Sequence, residues 1–283
     1  MSIKTTVITG PTSGIGKETA LALAKKDHAL YLLVRNMEKG EELRKELAAK
    51  TGNEAIHVIR CDMADLQSVR EAAEELKKKL FNINVLINNA GSAFPVRKFS
   101  RDSFEITFAV NHLGPFLLTE SLMPLLQKGH ARIINVASEA HRSAKPDFDD
   151  LKMERSYTGF KAYGITKLFN IYFTKSLAEK YQQTGITAFA LHPGVVKTAI
   201  WNKTTGFLKL LTWLMKPFMI SAKQGAETII YLATQPKLDK QNGLYFKKCK
   251  VAKTAPNADN VVARNRLWEI SEKFTGVENK LNV

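Results

Sequence analysis

The stretch IKTTVITGPTSGIGKETALALAKK, residues 3–26, decides the fold: an apolar strand pattern is followed by a glycine-rich turn and then by a helical pattern. Strand, glycine turn and helix in this order are the context in which such a turn binds a dinucleotide. Gly10 permits the tight turn, and Gly14 and Gly16 let backbone N–H groups and the helix N-terminus approach a pyrophosphate. The sequence therefore predicts a dinucleotide-binding unit at the start of the chain.

The rest of the chain alternates between strand and helix patterns. Further strands are predicted at Ala29–Val34, Ala55–Ile59, Asn84–Ile87, Ala131–Ala137, Ile186–Leu191 and Asn242–Phe246. Helices are predicted at Met37–Lys50, Ser103–Gln127, Ser156–Tyr181 and Val261–Phe274. One more helix is predicted to run from a cap at Asp65 to Leu80, and another to begin at Ser221. This alternation implies right-handed crossovers. The expected fold class is α/β: a single-domain doubly wound Rossmann fold over residues 1–283, with a seven-stranded parallel sheet flanked by helices.

Composition excludes several classes of protein. The 283 residues are 45% apolar and 24% charged, as in a soluble globular protein. Cys61 and Cys249 lie far apart and give neither a disulfide framework nor metal-ligand spacing. The N-terminus has no apolar signal-peptide region, and no window is apolar and long enough to span a bilayer. We therefore expect a cytoplasmic protein without a metal, with or without peripheral contact with membranes.

The chain is strongly basic, with a formal charge of +15. No helix-turn-helix, RNP-like or zinc-finger pattern accompanies this charge, so no nucleic acid is expected as a partner. An anionic cofactor and an acidic membrane surface explain the charge at least as well. A solvated basic face is the third explanation.

The end of the second strand bears on the choice of cofactor. A Rossmann domain that selects NAD usually offers an acid there to the ribose hydroxyls. Here Arg35 and Asn36 occupy the position, and the Arg35 guanidinium suits a 2′-phosphate, with Lys17 as a second cation. The sequence therefore favours NADP(H). The alternative is that Arg35 is only a solvated arginine at the end of a strand. Asp62, followed by Met63, either accepts a hydrogen bond from the adenine amino group or caps its own turn.

Two more strand ends carry candidate residues. The fourth strand ends in Asn88-Asn89-Ala90-Gly91, which suits a cofactor crossing the sheet edge but also suits an ordinary turn. The fifth strand ends at Ser138, whose hydroxyl would project at the same edge. His141 is a rival catalyst three residues later. A hydrolase-type role for His141 is disfavoured because no matching acid or nucleophile pattern accompanies it.

Pro115 interrupts the helical pattern of residues 103–127. Proline lacks the N–H that would bond the carbonyl four residues earlier, which belongs to Asn111. The main-chain carbonyl oxygen of Asn111 is then free at a kink, where a water can bind. The alternative is a helix bend without a function.

Tyr163 and Lys167 are four residues apart in a predicted helix and are therefore neighbours on one face. An ammonium beside a phenol favours the phenolate and lowers the phenol pKa, so such a tyrosine can exchange a proton near neutral pH. Tyr157 and Lys161 have the same spacing, but Gly159 lies between them at the ragged start of the helix. Taken alone, the first pair can also be two surface side chains.

In this order, the motifs resemble those of the short-chain dehydrogenase/reductase family over almost the whole chain. They are Thr9–Gly16 (T-G-x-x-x-G-I-G), Asn88–Gly91, Asn111, Ser138, the Y-x-x-x-K pair Tyr163/Lys167 and Pro193-Gly194. The chain is most similar to the retinol-dehydrogenase-like branch through Val34–Gly40 (V-R-N-M-E-K-G), Asn111–Gly114 (N-H-L-G) and the long gap between Ser138 and Tyr163. Ala137 departs from relatives that often have a second serine there.

The resemblance implies a role for each residue. Ser138 would hydrogen-bond the substrate oxygen, and Tyr163 would transfer the proton. Lys167 would hold the nicotinamide ribose and lower the Tyr163 pKa, helped by the positive nicotinamide of the oxidised cofactor. Asn111 would anchor a relay water. The residues implied to bind NADP(H) are Gly10, Thr12, Ser13, Gly14, Ile15, Gly16, Arg35, Asn36, Asp62, Met63, Asn89, Ala90, Gly91, Tyr163, Lys167, Pro193, Gly194, Val196 and Thr198.

Residues 206–220, GFLKLLTWLMKPFMI, form the most apolar window of the chain. They lie where this family builds its variable substrate lobe, so we expect a lobe or lid at about 199–222. Three roles are open for this window: a lid over a lipophilic pocket, a peripheral contact with a membrane, or a part of the core. Two functions remain: an NADP(H)-dependent oxidoreductase for a retinoid, steroid or fatty aldehyde, or a non-catalytic NADP(H) sensor. A homodimer through the Tyr163 helix also stays open.

Overall fold

Eight strands form one sheet in the computed structural model, which describes residues 3–196 and 219–277 of the chain. The strands are β1 Thr5–Thr9, β2 Ala29–Val34, β3 Ile56–Arg60, β4 Val85–Asn88, β5 Arg132–Val136, β6 Thr187–His192, β7 Tyr245–Lys247 and β8 Lys250–Val251. The first seven are parallel, as predicted. The antiparallel β8 was not predicted, because a two-residue strand leaves no alternation to detect.

The strand order is β3-β2-β1-β4-β5-β6-β7-β8. The direction of winding therefore reverses between β1 and β4. In open α/β sheets the crevice at the carboxyl ends of the strands on either side of this reversal is where ligands bind. The glycine turn after β1 and the Asn-Ala-Gly turn after β4 both lie at that edge.

Helices cover both faces of the sheet. They are α1 Gly14–Ala24, α2 Met37–Thr51, α3 Leu66–Lys79, α4 Ile106–Phe108, α5 Gly114–Ser121, α6 Met123–Lys128, α7 Gly159–Lys180, α8 Ala222–Thr234 and α9 Val261–Thr275. Side chains of α1, α2 and α8 pack on one face, and side chains of α3, α5, α6, α7 and α9 pack on the other. The sheet is thus buried on both sides, as its nearly continuous apolar strands require.

Helix α7 is buried around almost its whole circumference between Gly164 and Thr174. Helix α9 covers the side that faces away from the sheet: the Trp268 ring lies 5.0 Å from the Phe116 ring and 6.0 Å from the Phe173 ring. The apolar face of α7, which the sequence left open as core or dimer surface, is therefore core.

The chain leaves the described part after Val196 and returns at residue 219. Val196 and Ile220 form a β-bridge, and the Ile220 N–H donates to the Val195 carbonyl at 2.9 Å. Most of the predicted lobe at 199–222 and of the window at 206–220 lies outside the described residues, as does Thr198. Among the helices described, none has the length and apolar character needed to cross a bilayer.

Candidate active site

The glycine turn after β1 has a backbone that requires glycine at particular positions. Gly10 and Gly14 have φ of 63° and 55°, which only glycine adopts readily. A Cβ at Gly16 would lie 2.3 Å from the Gly10 carbonyl oxygen and 2.6 Å from Asn89 Nδ2. The backbone of α1 at Gly16 therefore lies against this turn at a distance that no side chain at residue 16 would allow.

The N-terminus of α1 is open to an anion. Ser13 is its N-cap residue but makes no side-chain capping bond, and the first turn contains no acid. By contrast, α2 and α3 are capped by the side chains of Asn36 and Asp65. Unpaired N–H groups at a helix N-terminus bind phosphate. Thr12 lies in this turn, and Ile15 packs against Gly225 of α8.

Asn89 connects the ends of β1 and β4. Its Nδ2 donates to the carbonyl oxygens of Thr9 and Gly10, at 2.9 and 3.0 Å. In return, Thr9 Oγ1 accepts from the backbone N–H groups of Asn89 and Ala90, at 3.1 and 2.9 Å. The two turns at the sheet edge are thus held as one unit, which is more than an ordinary turn requires.

Gly91 lies where two predicted catalytic side chains meet. A Cβ at this position would be 3.2 Å from Lys167 Nζ and 3.3 Å from Asn111 Oδ1. Both side chains are almost completely buried, with exposed fractions of 3% and 1%. The missing side chain at Gly91 therefore leaves the space in which these two polar groups lie side by side.

The helical run around Asn111 continues from Ile106 to Ser121 and contains an irregularity directly before Pro115. Residues 109–113 form one π-helical turn, in which the Gly114 N–H donates to the Ala109 carbonyl, and Pro115 follows it within the same run. The Asn111 side chain accepts from the Ser92 N–H at 2.8 Å and donates to the Ser92 carbonyl at 2.9 Å. It therefore fixes the loop that follows Gly91.

Tyr163 and Lys167 lie on the first turns of α7. Because Thr158 caps this helix and Gly159 is its first residue, Tyr157 precedes it, and the Tyr157–Lys161 pair does not share its face. Lys167 Nζ lies 5.3 Å from the centre of the Tyr163 ring and donates to the Val136 carbonyl at 2.7 Å.

The acidity of these two groups departs from the sequence-based prediction. Burial raises the pKa of Tyr163 above its usual value, with the Ser138 side chain opposing the rise. Burial lowers the pKa of Lys167 to about 8. In the protein alone, exclusion of water therefore outweighs the predicted effect of Lys167 on the phenol pKa, while the Lys167 ammonium donates to the Val136 carbonyl.

Ser138 lies two residues after the end of β5 and is the N-cap of a short 3-10 helix, Glu139–Ser143. Its Oγ accepts from the Ala140 N–H at 3.2 Å. His141 is fully buried and bonds to the Ser138 main-chain oxygen rather than to the hydroxyl, with Nδ1 at 2.6 Å. No hydrolase-type pairing of a histidine with this serine is therefore formed.

The second strand presents Arg35 at its exposed end, while Asn36 Oδ1 caps α2 through the Lys39 N–H at 2.9 Å. Lys17, expected as a second cation, instead pairs with Glu46 at 2.6 Å. Asp62 Oδ1 accepts from the Ala64 N–H at 3.0 Å, as a turn cap does.

The remaining predicted residues lie along the same edge. Met63 is buried beneath Gly114, where a Cβ would meet its carbonyl oxygen at 2.7 Å. Pro193 and Gly194 follow β6, and Gly194 has a φ of 99° and contacts Ile220. Val196 is buried at the bridge to Ile220.

Sequence reasoning missed two positions that complete this arrangement. Thr166 Oγ1 accepts from Asn111 Nδ2 at 3.0 Å and donates to the Tyr163 carbonyl at 2.9 Å, which links the π-turn to α7. The Val136 carbonyl accepts from Lys167. A threonine inside a helix and a backbone oxygen carry no local signal, so neither could be found before the fold was known.

Comparisons with known proteins agree with this geometry. The family model described as short chain dehydrogenase matches residues 4–207. Retinol dehydrogenase 12 of Mus musculus is 39% identical over 277 residues, which cover 97% of this chain and 87% of that protein. Retinol dehydrogenase 13 of Homo sapiens is 37% identical over 285 residues, covering 97% and 85%.

Solved structures show the same fold. An uncharacterized protein from Mycobacterium Paratuberculosis has a TM-score of 0.78 and 28% identity, over 98% of this chain and 95% of that one. A gluconate 5-dehydrogenase from Burkholderia cenocepacia, in complex with NADP and tartrate, has a TM-score of 0.70 and 25% identity, over 88% and 95%. The chain therefore belongs to the short-chain dehydrogenase/reductase family of oxidoreductases, in which it is retinol-dehydrogenase-like.

Proposed function

We propose that the chain is an NADP(H)-dependent oxidoreductase that interconverts a lipophilic carbonyl compound and its alcohol, such as a retinoid, a steroid or a fatty aldehyde. The observation that carries this proposal is the placement of Asn111 and Lys167 at Gly91, with the Tyr163 ring 5.3 Å from Lys167 Nζ and the Ser138 side chain acting on the Tyr163 phenol. The family works with nicotinamide cofactors. The names of the retinol dehydrogenases support a lipophilic substrate.

The residues at the glycine turn fit a dinucleotide. The turn excludes a Cβ at Gly16 and strains one at Gly10, where φ is 63°, and the N-terminus of α1 has neither a side-chain cap nor an acid in its first turn. We propose that Gly10 to Gly16 and Asn89 to Gly91 hold the pyrophosphate and the adjoining ribose, with Pro193, Gly194, Val196 and Thr198 near the nicotinamide. Asp62 and Met63 would then contact the adenine. When bound, the nicotinamide supplies or accepts the hydride.

The choice of NADP(H) rests on Arg35. It is exposed at the end of β2, and it takes part in none of the ion pairs among residues 3–196 and 219–277. A free guanidinium at this strand end suits a 2′-phosphate. Lys17 is less suited than the sequence implied, because Glu46 already neutralises it.

We assign the proton transfer to Tyr163. Burial keeps its phenol protonated at neutral pH, so it can donate a proton to a carbonyl oxygen during reduction. Ser138 would orient the substrate oxygen by hydrogen bonding, and Lys167 would hold the ribose. Asn111 would keep the loop at Ser92 in place and anchor a relay water through its own carbonyl.

The alternative is a protein that binds NADP(H) without turnover. The buried lysine argues against it, because desolvating an ammonium is costly and a sensor needs none beside a phenol. A panel of aldehydes and ketones, assayed with NADPH and with NADH, tests both catalysis and cofactor choice. If the chain is an oxidoreductase, we expect NADPH to be oxidised in the presence of apolar aldehydes. If it is a sensor, we expect it to bind NADPH without oxidising it.

The decisive variant is Tyr163→Phe. Removal of a general acid typically costs a factor of about 10²–10⁴ in rate, while NADPH affinity should change little. Tyr157→Phe is the matched control, since that phenol donates to the Phe94 carbonyl at 2.7 Å and lies outside α7. If Tyr163→Phe reduced aldehydes at the normal rate, the assignment of the proton donor would be wrong.

We also propose that residues 199–222 form the substrate lobe, because the chain leaves and returns beside Gly194. The apolar window 206–220 would then line the pocket or rest on a membrane surface as a peripheral contact. Co-sedimentation with anionic vesicles at low salt separates these two roles.

A further inference from the structure

His141 is the buried histidine next to the catalytic serine that the proposed chemistry does not use. Its Nδ1 faces the Ser138 carbonyl at 2.6 Å, and its Nε2 faces the Ala255 N–H at 3.0 Å. A carbonyl oxygen only accepts and a backbone N–H only donates, so Nδ1 must carry the proton and Nε2 must be bare. The neutral ring thus bridges two backbone groups that are far apart in sequence.

The 3-10 helix that follows Ser138 is attached to the same part of the chain at two more points. The Tyr245 hydroxyl donates to Glu139 Oε1 at 2.9 Å, and the Tyr245 ring packs edge-on against His141 at 5.2 Å. Arg142 donates to the Lys253 carbonyl at 2.5 Å. Three of the five side chains of the 3-10 helix, those of Glu139, His141 and Arg142, therefore contact residues 245–255, the segment that includes β7 and β8.

On its other side this 3-10 helix touches α7 next to the catalytic tyrosine. A Cβ at Gly164 would lie 2.9 Å from the Ala140 carbonyl oxygen, so the two backbones are in direct contact one residue after Tyr163. The residues from Ser138 to Ser143 are held between α7 on one side and the 245–255 segment on the other. The position of Ser138 against Tyr163 depends on both.

We propose that His141 is a positioning residue for Ser138: by linking the Ser138 carbonyl to the Ala255 N–H, it makes the 245–255 segment part of the support of the active site. This inference rests on the proposed function, in which the Ser138 hydroxyl orients the substrate. Loss of the link leaves the hydroxyl present but less firmly positioned, because the remaining attachments of the 3-10 helix do not reach the Ala255 N–H. A misplacement of about 1 Å in an active site can cost about 100-fold in rate.

The experiment compares His141→Phe, which keeps the volume but loses both hydrogen bonds, with His141→Gln, which can still accept from Ala255. For each variant, kcat is measured per NADPH-binding site, so that unfolded protein does not count. We expect kcat to fall about 10- to 100-fold in His141→Phe, with less loss in His141→Gln and an unchanged NADPH Kd in both.

His28→Phe is the matched control. His28 is also buried and bonded, through Nδ1 to Thr6 Oγ1 at 2.8 Å, but it lies before β2 at the opposite edge of the sheet. A purely structural loss there should lower the melting temperature without lowering kcat per binding site. If His28→Phe lowered kcat as much as His141→Phe did, the effect would be general destabilisation and the inference would fail.

A double-mutant cycle with Ser138→Ala, followed in single turnovers at high enzyme concentration, tests the route of the effect. If His141 acts through Ser138, then His141→Phe should slow the Ser138→Ala enzyme by much less than it slows the wild type. An equal fall in both backgrounds would overturn the inference. If the Ser138→Ala rate is too low to measure, the comparison of His141→Phe with His28→Phe decides.

The two proposals fail in different ways. A wild-type protein that turns over none of the carbonyl compounds would refute the proposed function. A wild-type enzyme that is active and whose His141→Phe variant keeps its kcat would refute only the positioning role.

Discussion

Asn89 gives the sharpest test of how the candidate cofactor site is organised. Its side-chain amide donates to the carbonyls of Thr9 and Gly10 at 2.9 and 3.0 Å and lies directly beneath Gly16. It therefore holds the glycine turn in shape before any dinucleotide arrives. In Asn89→Ala the turn loses this support, and a dinucleotide would have to order it on binding.

The structure sets the size of the effect. Two neutral hydrogen bonds contribute about 1 kcal/mol each, so the free energy of ordering the turn rises by about 2 kcal/mol. Since every 1.4 kcal/mol is a factor of ten in affinity, the NADPH Kd should rise about 30-fold. The increase should appear mainly in binding, because Asn89 contacts none of the groups proposed to transfer the proton.

The assay is a fluorescence or calorimetric titration with NADPH, paired with a thermal melt. Asn84→Ala is the matched control, since Asn84 also joins β1 to β4, accepting from the Thr5 N–H at 2.9 Å and donating to the Gly129 carbonyl at 3.2 Å. It lies at the amino edge of the sheet, so its loss should lower stability and leave Kd unchanged. Equal Kd values for Asn89→Ala and wild type would refute the reasoning.

Two further predictions concern charge. Arg35→Asp should weaken NADPH binding about 10- to 100-fold, because a hydrogen bond to a charged group contributes about 1.5–3 kcal/mol, and it should spare NADH; equal losses for both in parallel titrations would contradict a phosphate contact. Burial raises the pKa of Glu120 to about 7, with Tyr181 opposing the rise. Because this folded-state pKa lies above the unfolded value, the contribution of Glu120 to the free energy of unfolding is full below about pH 4.5. It falls by about 3 kcal/mol as the pH rises past 7. In denaturant unfolding at pH 5 and pH 8, Glu120→Gln should remove this difference in the free energy of unfolding between the two pH values. A difference as large as that of the wild type would refute the prediction.

Features encoded by neighbouring residues were predicted from the sequence. Asp65 was expected to cap α3, and its Oδ1 accepts from the N–H groups of Gln67 and Ser68, at 3.0 and 3.2 Å. The seven parallel strands and the glycine turn likewise follow from local periodicity and from backbone freedom. Such signals lie within a few residues of each other, so they survive without knowledge of the fold.

Features that depend on distant contacts were not predicted. A π-helical turn directly before Pro115, inside a helical run that continues from Ile106 to Ser121, was not predicted. This π-turn is held by bonds from Asn111 to Ser92 and Thr166, which are 19 and 55 residues away in sequence. The buried link from His141 to Ala255 spans 114 residues. No window of sequence contains both members of such a pair.

The acid–base behaviour of Tyr163 follows from the same limitation. Spacing on a helix places a lysine near the phenol, but the charge acts on whatever the ammonium faces, and here Lys167 Nζ faces the Val136 carbonyl. Burial then raises the phenol pKa and lowers that of Lys167 to about 8. The folded protein therefore presents a protonated phenol at neutral pH, which is the form that carbonyl reduction needs. Alcohol oxidation requires the phenolate, so in that direction a further positive charge or a rotated lysine must first overcome the effect of burial.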